Sequence, residues 1–307
     1  MAFLHTEDFL SQTGKATVGV ARLLLHHAQG EKLPRMMDFA SKLQTGNGTI
    51  QEAFTQLTRL GAIAVEAHGA RGSYLAQIDY PLLWRYAGNE WIIGSMPLPY
   101  TLCYEGLATA LYAQLAASGL PFNMTYQRGS LLRGEMVRKG NYHYAVMSLL
   151  AAEHFRNEHP EITIVAQLPI GSYVPEHVLV SRVPRDQIRR IGVDPTSLDV
   201  ILLTDEEFQG ENSWEKVPST GAQVLDLLQE GLFDAIIWNR DGVKVLPNNV
   251  MLLPLQGDVH KREIATQAVI IAVQEAPVLH VLLSIFSPEH ITLIQQEVLS
   301  RQRLPHY

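Results

Sequence analysis

The chain has 307 residues, and its 24 basic and 31 acidic side chains give a formal net charge of −7 at pH 7. This length exceeds what one compact core takes and predicts two or three domains, while an apolar fraction of 47% excludes a generally disordered chain. The lone Cys103 excludes an intrachain disulfide and argues against a secreted, disulfide-stapled protein.

The negative charge is unevenly distributed along the chain. Residues 1–80 carry seven basic and seven acidic side chains, and only four of those acids fall within residues 14–76, whose charge is therefore +3. Residues 81–307 hold 17 basic and 24 acidic side chains and account for the whole negative excess. The pooled charge counts against a nucleic-acid partner, but the N-terminal segment taken alone permits one.

No targeting or membrane segment is evident. The stretch Met1–Thr13 contains Glu7 and Asp8 and lacks a basic lead followed by an apolar run, so it does not resemble a signal peptide. The most apolar later stretch, Val278–Phe286, is much shorter than the ~20 residues of a membrane helix. We therefore expect a soluble, cytoplasmic protein with no membrane partner.

Three helices and a hairpin are predicted in the first 80 residues. Apolar side chains recur at helical spacing, and residues 62–78 then alternate on both sides of the turn sequence Gly69-Ala70-Arg71-Gly72. The predicted helices are Lys15–Ala28, Met36–Leu43 and Thr49–Leu60, and the predicted strands are Ala62–Ala67 and Ser73–Ile78. This order is typical of a winged helix-turn-helix, a type of domain that places one helix in the major groove of DNA.

The run from Leu33 to Ile63 resembles the winged helix of GntR-type bacterial transcription regulators. Leu33-Pro34 matches the Leu-Pro before the second helix of that family, and Gly69–Leu75 resembles its wing. The other matches lie in the core, the recognition helix and its exit, namely Ala40, Leu43, Thr49, Ile50, Glu52, Ala53, Leu57, Gly61 and Ile63. The resemblance implies a DNA-binding domain.

The chain departs from this family at basic positions. Met37, Gly46, Asn47 and Gln51 stand where the family commonly has a basic residue, a Ser-Arg pair and an arginine. Because such side chains meet phosphates or base edges, their loss predicts weaker DNA binding with a flatter salt dependence.

Polar and basic side chains remain for contact with DNA. Asparagine and glutamine match the donor–acceptor edge of adenine, and an arginine at a hairpin tip suits a phosphate or the minor groove. The predicted contacts are Arg35, Lys42, Asn47, Thr49, Gln51 and Arg71, with Gln56 as a further hydrogen-bonding candidate. The alternative is a winged helix kept only for dimerisation or protein contact.

A linker is predicted over Tyr80–Asn89, and strands and helices alternate beyond it. The predicted strands are Trp91–Ser95, Asn123–Gln127, Tyr144–Met147, Ile162–Gln167 and Val178–Ser181, and the helices are Tyr100–Ser118, Leu131–Lys139 and Leu149–Asn157. This order predicts a mainly parallel sheet covered by helices.

A similar alternation returns after Pro184. The predicted helices are Arg185–Ile191, Ala222–Gln229 and one or two within Pro277–Gln302, and the strands are Val200–Leu203, Phe233–Trp238, Val250–Leu255 and Gln267–Val273. Two small α/β lobes with a terminal helical stretch resemble the type 2 periplasmic-binding-protein fold. The predicted fold class is therefore α/β, with a winged helix-turn-helix in residues 1–80 and a two-lobed ligand-binding domain in residues 81–307.

Three loops of the first lobe lead from a strand into a helix. Free N–H groups at a helix start favour an anionic ligand group, and Arg128 can pair with a carboxylate or phosphate. The predicted ligand contacts are Ser95, Tyr100, Thr101, Arg128, Ser130 and Ser148, with Asn239 from the second lobe and Tyr104 and Thr204 beside them. For the serines and threonines the alternative is an ordinary helix N-cap.

The segment Gly94–Ala110 is similar to YhfZ-type regulators, which join a GntR-like winged helix to such a C-terminal domain. Both domains occur in the same order, so the resemblance covers most of the chain. It implies a transcription regulator and names no ligand.

Signals for catalysis and metal binding are poor. The run His154–His159 is one residue too long for H-x-x-E-H zinc spacing, and Pro160 ends the helix. The sequence contains no G-x-S-x-G elbow or Walker A loop, and Cys103 has no adjacent base. We predict no cofactor, no metal and no enzymatic activity.

Two functional hypotheses result. The first is a homodimeric, ligand-responsive regulator that binds operator DNA and responds to a small anionic metabolite between the lobes. The second is a solute-binding protein or small-molecule enzyme whose winged helix serves dimerisation only.

Overall fold

The fold is that of a computed structural model, which describes residues 10–89, 91–210, 214–219, 224–243 and 249–307. The chain divides into two compact units. The first contains the described residues up to Ile92 together with Ser118–Phe122 and Glu275–Ile285, and the second contains the rest. The boundary after residue 80 remains a prediction.

The first unit begins with three helices and a hairpin, as the hydrophobic pattern predicts. The elements are α1 (Gln12–Leu24), α2 (Met36–Lys42), α3 (Asn47–Arg59), β1 (Ile63–Ala67) and β2 (Ser73–Ile78). The core consists of the side chains that recur three or four residues apart, and Phe39 of α2 meets Phe54 of α3 edge to face at 5.2 Å between ring centroids. The helix-turn-helix prediction is thus confirmed at the level of its elements.

The hairpin of the first unit is antiparallel, with Ile63 opposite Ile78 and Ala67 opposite Ser73. Its tip is a 3-10 turn, Gly69–Arg71. Gly72 follows with a φ of +94°, a conformation that glycine adopts without the steric cost of a side chain. The tip therefore presents Arg71 at an exposed turn.

The predicted linker over Tyr80–Asn89 is wrong for most of its length, because α4 (Tyr80–Tyr86) is a helix. The side chain of Asp79 caps it by accepting from the Leu82 amide at 2.8 Å, and the early position of Pro81 suits a first helical turn. Leu83 and Trp84 are buried. The burial of this apolar face stabilises a short helix, although the composition of the segment alone predicts a linker.

The remaining elements are strands and helices in mostly alternating order. They are β3 (Ile92–Met96), α5 (Leu102–Ala117), β4 (Phe122–Tyr126), α6 (Ser130–Arg138), β5 (Tyr144–Ser148), α7 (Leu149–Glu158), β6 (Ile162–Gln167), β7 (His177–Ser181), β8 (Arg190–Val193), α8 (Leu198–Glu207), β9 (Glu215–Pro218), α9 (Val224–Glu230), β10 (Ala235–Asn239), β11 (Met251–Pro254), α10 (Val259–Ile264), β12 (Ala268–Val273), α11 (Leu279–Ile285) and α12 (Pro288–Leu299). The first two residues of the predicted helix Ala222–Gln229 lie outside the described residues.

Two five-stranded sheets define two lobes. The first lobe has the strand order β4-β3-β5-β12-β6, and the second has the order β11-β7-β10-β8-β9. The chain passes from the first lobe to the second after β6 and returns before β12. This double crossing creates the predicted two-lobed architecture.

The sheets are mixed, which corrects the expectation of mainly parallel sheets. In the first lobe β3 and β5 are parallel, but β12 is antiparallel to both β5 and β6. In the second lobe β8 is parallel to β9 and β10, whereas β7 is antiparallel to β10 and β11. The sequence order misses this because β12 joins its sheet only after the chain returns from the other lobe.

Two predicted elements of the second lobe are wrong. Val200–Leu203 lies within the helix α8, and the segment Arg185–Ile191 forms a 3-10 turn followed by the strand β8. A short apolar run fits a buried strand as well as a helix, so periodicity cannot separate the two. Thr204, predicted to follow a strand, is therefore buried inside α8.

One hydrophobic core joins the lobes. It combines Leu149, Leu150 and Phe155 of α7 with Leu198 and Leu203 of α8. Residues from β5 and β12 of the first lobe and from β8 and β10 of the second belong to the same cluster. The lobes thus pack directly against each other on this side.

Candidate functional site

A cleft between the two lobes is lined by charged, polar and aromatic side chains. Its volume is about 80 Å³, less than the ~150 Å³ of a cavity that holds benzene. The lining residues are Pro97, Leu98, Tyr100, Tyr104, Arg128, Gly129, Ser130, Arg133, Tyr173, His177, Asp194, Ser197, Asp199, Val200, Trp238 and Asn239. The cleft thus has room for a ligand of a few non-hydrogen atoms.

The end of β3 and the loop after it bring one of their three predicted contacts into the cleft. Tyr100 lines it, whereas Ser95 and Thr101 are buried outside the lining. The Thr101 hydroxyl accepts from the Tyr104 amide at 3.3 Å, as an N-cap does at the start of α5. The Ser95 hydroxyl has no hydrogen-bond partner among the described residues.

The loop after β4 brings Arg128 and Ser130 to the cleft and joins the lobes. The Ser130 hydroxyl accepts from the Leu198 amide at 3.0 Å, and the Leu131 amide donates to the Thr196 carbonyl at 3.0 Å. The starts of α6 and α8 therefore bond to each other. We call these bonds, between residues 129–131 and 196–198, the interlobe contact.

Ser148 joins the lobes rather than lining the cleft. Its hydroxyl accepts from the Ala151 amide at 3.0 Å as the N-cap of α7 and donates to the Asp199 carboxylate of α8. Asp199 does line the cleft, and it is 4% exposed. Burial raises the pKa of Asp199 to about 6, against the opposing effects of the Ser148 hydrogen bond and the Arg133 charge.

Aromatic residues cover one side of the cleft. The Asn239 amide nitrogen donates to the Tyr100 hydroxyl at 2.8 Å and lies 3.4 Å from the Tyr104 hydroxyl. Tyr104 meets Tyr173 edge to face at 5.2 Å, and Tyr100 stacks on Trp238 at 6.3 Å. Tyr100, Tyr104 and Asn239 were predicted to lie here, whereas Tyr173 and Trp238 carry no local signal in the sequence.

Arg133 is a cleft residue that the sequence prediction omits. It is 2% exposed, and its guanidinium donates to the Val146 carbonyl at 2.9 Å, the Gln127 carbonyl at 2.7 Å and the Tyr173 hydroxyl at 3.1 Å. These neutral partners hold the positive charge in the wall of the cleft.

His177 is buried in the cleft wall, and burial lowers its pKa to about 4. Its Nδ1 atom has no hydrogen-bond partner among the described residues. A buried polar atom of this kind is costly unless something bonds to it. It is therefore a candidate for contact with a ligand.

The predicted DNA contacts lie on the exposed parts of the first unit. Asn47 and Gln51 are exposed on α3, Lys42 is exposed in the last turn of α2, and Arg71 is exposed at the hairpin tip. Thr49 is half-buried. Arg35 is exposed before α2, where its amide donates to Asp38 at 2.9 Å.

For two residues of the first unit, the structure differs from the sequence prediction of DNA contacts. The Gln56 amide oxygen accepts from the Thr17 hydroxyl at 3.0 Å, so it binds α3 to α1. Lys32, which the prediction omits, pairs through its backbone with Tyr74, and a Cβ added to Gly72 would lie 3.1 Å from its Cε atom. This lysine therefore lies beside the tip that carries Arg71.

The structure offers no grouping for a metal within its described residues, where no three His, Cys, Asp or Glu side chains meet. His154 faces Glu158 at 3.8 Å and His159 faces Glu135 at 3.5 Å. Cys103 is buried, and burial together with the charge of Asp241 raises the pKa of its thiol to about 12. None of the described helices is long and apolar enough to cross a membrane.

The fold of the two lobes is that of periplasmic binding proteins. The aliphatic sulphonate binding protein SsuA from Escherichia coli is similar with a TM-score of 0.51 and 14% identity, over 69% of this chain and 75% of that one. At this identity the likeness concerns the fold alone. Residues 28–75 match the model of a helix-turn-helix domain. The class defined by these features is a helix-turn-helix regulator with a periplasmic-binding-protein-like domain.

Residues 79–307 match the model of the YhfZ C-terminal domain, and the chain belongs to the YhfZ family. The uncharacterized protein YhfZ of Escherichia coli (strain K12) is 32% identical over 97% of this chain and 99% of its own length. The crystal structure of YhfZ from Shigella flexneri is similar with a TM-score of 0.63 and 32% identity, over 75% of this chain and 98% of that one. The predicted relation to YhfZ-type regulators is confirmed.

Proposed function

We propose that the protein is a ligand-responsive, DNA-binding transcription regulator. The observation that carries the proposal is the presence, in one chain, of a helix-turn-helix domain and of a cleft between two α/β lobes that is lined by several charged and polar side chains. The first supplies a DNA-binding element, and the second is where ligands of two-lobed domains bind.

The DNA-binding role is assigned to the exposed polar residues of the first unit. The contacts proposed are Arg35, Lys42, Asn47, Thr49, Gln51 and Arg71, to which the position of Lys32 adds a seventh. Arg71 and Lys32 contact DNA from the wing, and the polar residues of α3 contact the bases. We retain the GntR-like wing, the homodimer and the cytoplasmic location as parts of this proposal.

The ligand proposed for the cleft is a small molecule with an anionic group, a carboxylate or a phosphate. Arg128 supplies the charge, and Tyr100, Ser130 and Asn239 supply polar groups in the cleft wall. Ser95, Thr101 and Ser148 act behind this wall by positioning it, since they are buried outside the lining.

Chain continuity offers a route from the cleft to the DNA-binding unit. The segment Glu275–Ile285 follows β12 of the first lobe directly and belongs to the first unit. There the ring of His280 stacks on Tyr80 of α4 at 5.3 Å between centroids. A rearrangement of the first lobe on ligand binding would act through this segment, provided that the ligand binds one arrangement more tightly than the other.

An enzymatic role has less support. The helix-turn-helix domain and the YhfZ relative point to a regulator. The raised thiol pKa of the buried Cys103 disfavours its use as a nucleophile.

The test is binding of the full chain to fluorescent DNA duplexes from the region upstream of its own gene, measured by anisotropy. We expect saturable binding that Gln51→Ala weakens at least threefold, because an exposed side chain of α3 is lost from the interface. Gln302→Ala, an exposed glutamine near the C-terminus, is the matched control. Absence of binding at every salt concentration, or equal effects of the two substitutions, would contradict the proposal.

A further inference from the structure

Arg133 is a buried cation in the cleft wall. It is 2% exposed, and none of the ion pairs between described residues includes it. Its three hydrogen bonds go to neutral acceptors, the carbonyls of Val146 and Gln127 and the hydroxyl of Tyr173. A guanidinium has five N–H donors, so two are not used by these bonds. Because a buried charge is costly without an opposite charge beside it, an anionic ligand group would stabilise this site.

The two carboxylates of the cleft lining are held by other groups of the protein. Asp194 accepts from the Thr196 amide at 2.9 Å and from the Thr196 hydroxyl at 2.7 Å. Asp199 is bonded to the Ser148 hydroxyl. Neither carboxylate forms an ion pair with Arg133. The carboxylate that would pair with this guanidinium is therefore left for a ligand to supply.

His177 is a second buried group of the lining that a ligand would satisfy. It is 7% exposed, and its Nδ1 atom has no hydrogen-bond partner among the described residues. Burial lowers its pKa to about 4, so the ring is uncharged near neutral pH. An uncharged imidazole nitrogen accepts or donates one hydrogen bond according to its tautomer, and a hydroxyl matches either case because it is both donor and acceptor. An uncharged hydroxyl therefore suits His177 better than a second anionic group.

A continuous series of contacts connects these two groups along the cleft wall. Arg133 donates to the Tyr173 hydroxyl at 3.1 Å, and the rings of Tyr173 and Tyr104 are 5.2 Å apart. The Tyr104 hydroxyl lies 3.4 Å from the amide nitrogen of Asn239. Asn239 of β10 is directly opposite His177 of β7 in the antiparallel pair, so both side chains lie on the same face of the sheet. In a cleft of about 80 Å³, one ligand of a few non-hydrogen atoms reaches opposite walls.

We infer that the cleft binds a small hydroxy acid, with the carboxylate of the ligand at the Arg133 guanidinium and its hydroxyl at the Nδ1 atom of His177. A planar carboxylate matches the fork of N–H donors that a guanidinium presents. Glycolate and lactate have the few non-hydrogen atoms that the cleft holds. The inference rests on the proposed function in taking the cleft as the effector site, and it adds to the half-buried Arg128 a second, fully buried arginine.

The test uses the full chain with a matched set of probes, measured by thermal shift and isothermal titration calorimetry. Lactate carries both groups, propionate lacks the hydroxyl, and lactamide keeps the hydroxyl but lacks the charge. We expect lactate to raise the melting temperature in a concentration-dependent way and to bind at least tenfold more tightly than either analogue. Glycolate, the smaller hydroxy acid, should behave as lactate does.

One variant isolates the contact with the hydroxyl. His177→Phe keeps an aromatic ring and removes the nitrogen atoms, so it should weaken lactate binding at least fivefold and leave propionate binding within twofold. A purely structural effect would weaken both acids alike, and the ratio of the two affinities separates these cases. His290→Phe, at an exposed histidine of α12, is the matched control and should leave the ratio unchanged.

A second variant isolates the contact with the carboxylate. Arg133→Gln should weaken lactate and propionate alike, at least tenfold, and leave lactamide binding within twofold. Arg156→Gln, at an exposed arginine of α7, is its matched control. The melting temperature without ligand verifies folding, and if Arg133→Gln does not fold, Arg133→Lys replaces it with an expected loss of at least threefold, because lysine keeps the charge and lacks the fork. If neither folds, the preference of the unchanged chain for lactate over lactamide decides whether the site takes an anion.

Several results would overturn the inference. These are lactamide, alanine or inorganic phosphate binding as tightly as lactate, an unchanged ratio of lactate to propionate affinity in folded His177→Phe, unchanged affinity for both acids in a folded Arg133 variant, and no response to glycolate or lactate. Each leaves DNA binding by the chain, measured by anisotropy, untouched. Conversely, lactate binding by a chain that binds no DNA would support the hydroxy-acid site and contradict the regulator.

Discussion

Gly129 meets two steric requirements at once. Its φ is +79°, and a Cβ added to it would lie 2.3 Å from Thr196 Oγ1 and 2.6 Å from Thr196 Cβ. Glycine is therefore required both by the backbone and by the approach of the second lobe. Asp199 is the other residue where local chemistry and lobe packing coincide, since it is buried, charged and bonded to Ser148 of the opposite lobe.

Replacing Gly129 by alanine should destabilise the interlobe contact. We expect Gly129→Ala to lower the free energy of unfolding by about 2–6 kcal/mol, since the positive φ costs alanine about 1–3 kcal/mol and the collision with Thr196 adds about 1–3 kcal/mol. Gly140→Ala is the matched control, because Gly140 has a φ of +74° and nothing within 4 Å of an added Cβ. Urea denaturation measures both, and equal losses would show that the collision is relieved at no cost.

Asp199 should make stability depend on pH. Its pKa is about 6 in the folded chain and about 4 when unfolded, so the folded state binds more protons between these values. Its contribution to stability is therefore lost as the pH rises from about 4 to about 6. The melting temperature of Asp199→Asn relative to the unchanged chain should be higher at pH 7.5 than at pH 4.5.

This difference between the two chains isolates Asp199 from His177. The lowered pKa of His177 acts in the opposite direction, because the unfolded state takes up its proton first as the pH falls below about 6.5. Both chains retain His177, so its effect cancels. A difference in melting temperature that is constant with pH would contradict the assignment of the shift to Asp199.

At the scale of elements, the N-terminus of α7 connects the lobes. Ser148 accepts from the Ala151 amide as an ordinary cap does, but the same hydroxyl also donates to the carboxylate of Asp199 in α8. The helix α8 contributes its start to the interlobe contact and its apolar face to the shared core. These two helices therefore decide how the lobes pack.

Ser148→Ala should cost more than the loss of a helix cap. We expect a loss of about 2–4 kcal/mol in the free energy of unfolding, because a cap contributes about 1 kcal/mol and a hydrogen bond to a buried charge contributes about 1.5–3 kcal/mol. Ser287→Ala is the control, since Ser287 caps α12 by accepting from the His290 amide at 3.3 Å and donates to the exposed Glu289 carboxylate rather than to a buried one. Similar losses in urea denaturation would mean that the bond to Asp199 contributes little.

At the scale of the whole molecule, the two parts of the chain carry opposite net charge. The net charge of −7 comes from residues 81–307, while residues 14–76 have a charge of +3. Between described residues of the first unit, the ion pairs are those of histidine with glutamate, His27 with Glu31 and His68 with Glu66. The basic residues assigned to DNA contact are Arg35, Lys42 and Arg71, and none of them forms an ion pair with another described residue.

The salt dependence of DNA binding should report on Arg71. We expect Arg71→Ala to weaken binding to all duplexes alike and to reduce the slope of log K against log salt by about 1, because one phosphate contact is lost. Arg156→Ala, which removes an exposed arginine of the first lobe, should leave the slope unchanged. Anisotropy titrations over a range of salt concentrations measure both, and an unchanged slope in Arg71→Ala would mean that Arg71 of the wing does not contact a DNA phosphate.

Elements with strong local periodicity were predicted correctly, and those without it were not. The strands Ile162–Gln167 and Ser73–Ile78 have the predicted bounds, because alternation and flanking turn residues specify them locally. The helix α4 was missed because it is short, and α8 was missed because its apolar run fits a buried strand as well as a helix. In the cleft, Tyr100, Arg128, Ser130 and Asn239 were placed by their position after strands, whereas Arg133, Tyr173, His177 and Asp199 were not.

Local pattern was sufficient for the two-part organisation, the winged helix-turn-helix and the two lobes, because each depends on periodicity and turn chemistry within a few tens of residues. Tertiary packing decided the mixed sheets and the composition of the cleft. The return of β12 into the first lobe and the meeting of Ser148 with Asp199 join residues that are far apart in the chain. Such contacts are set by the packing of whole elements, and no local spacing records them.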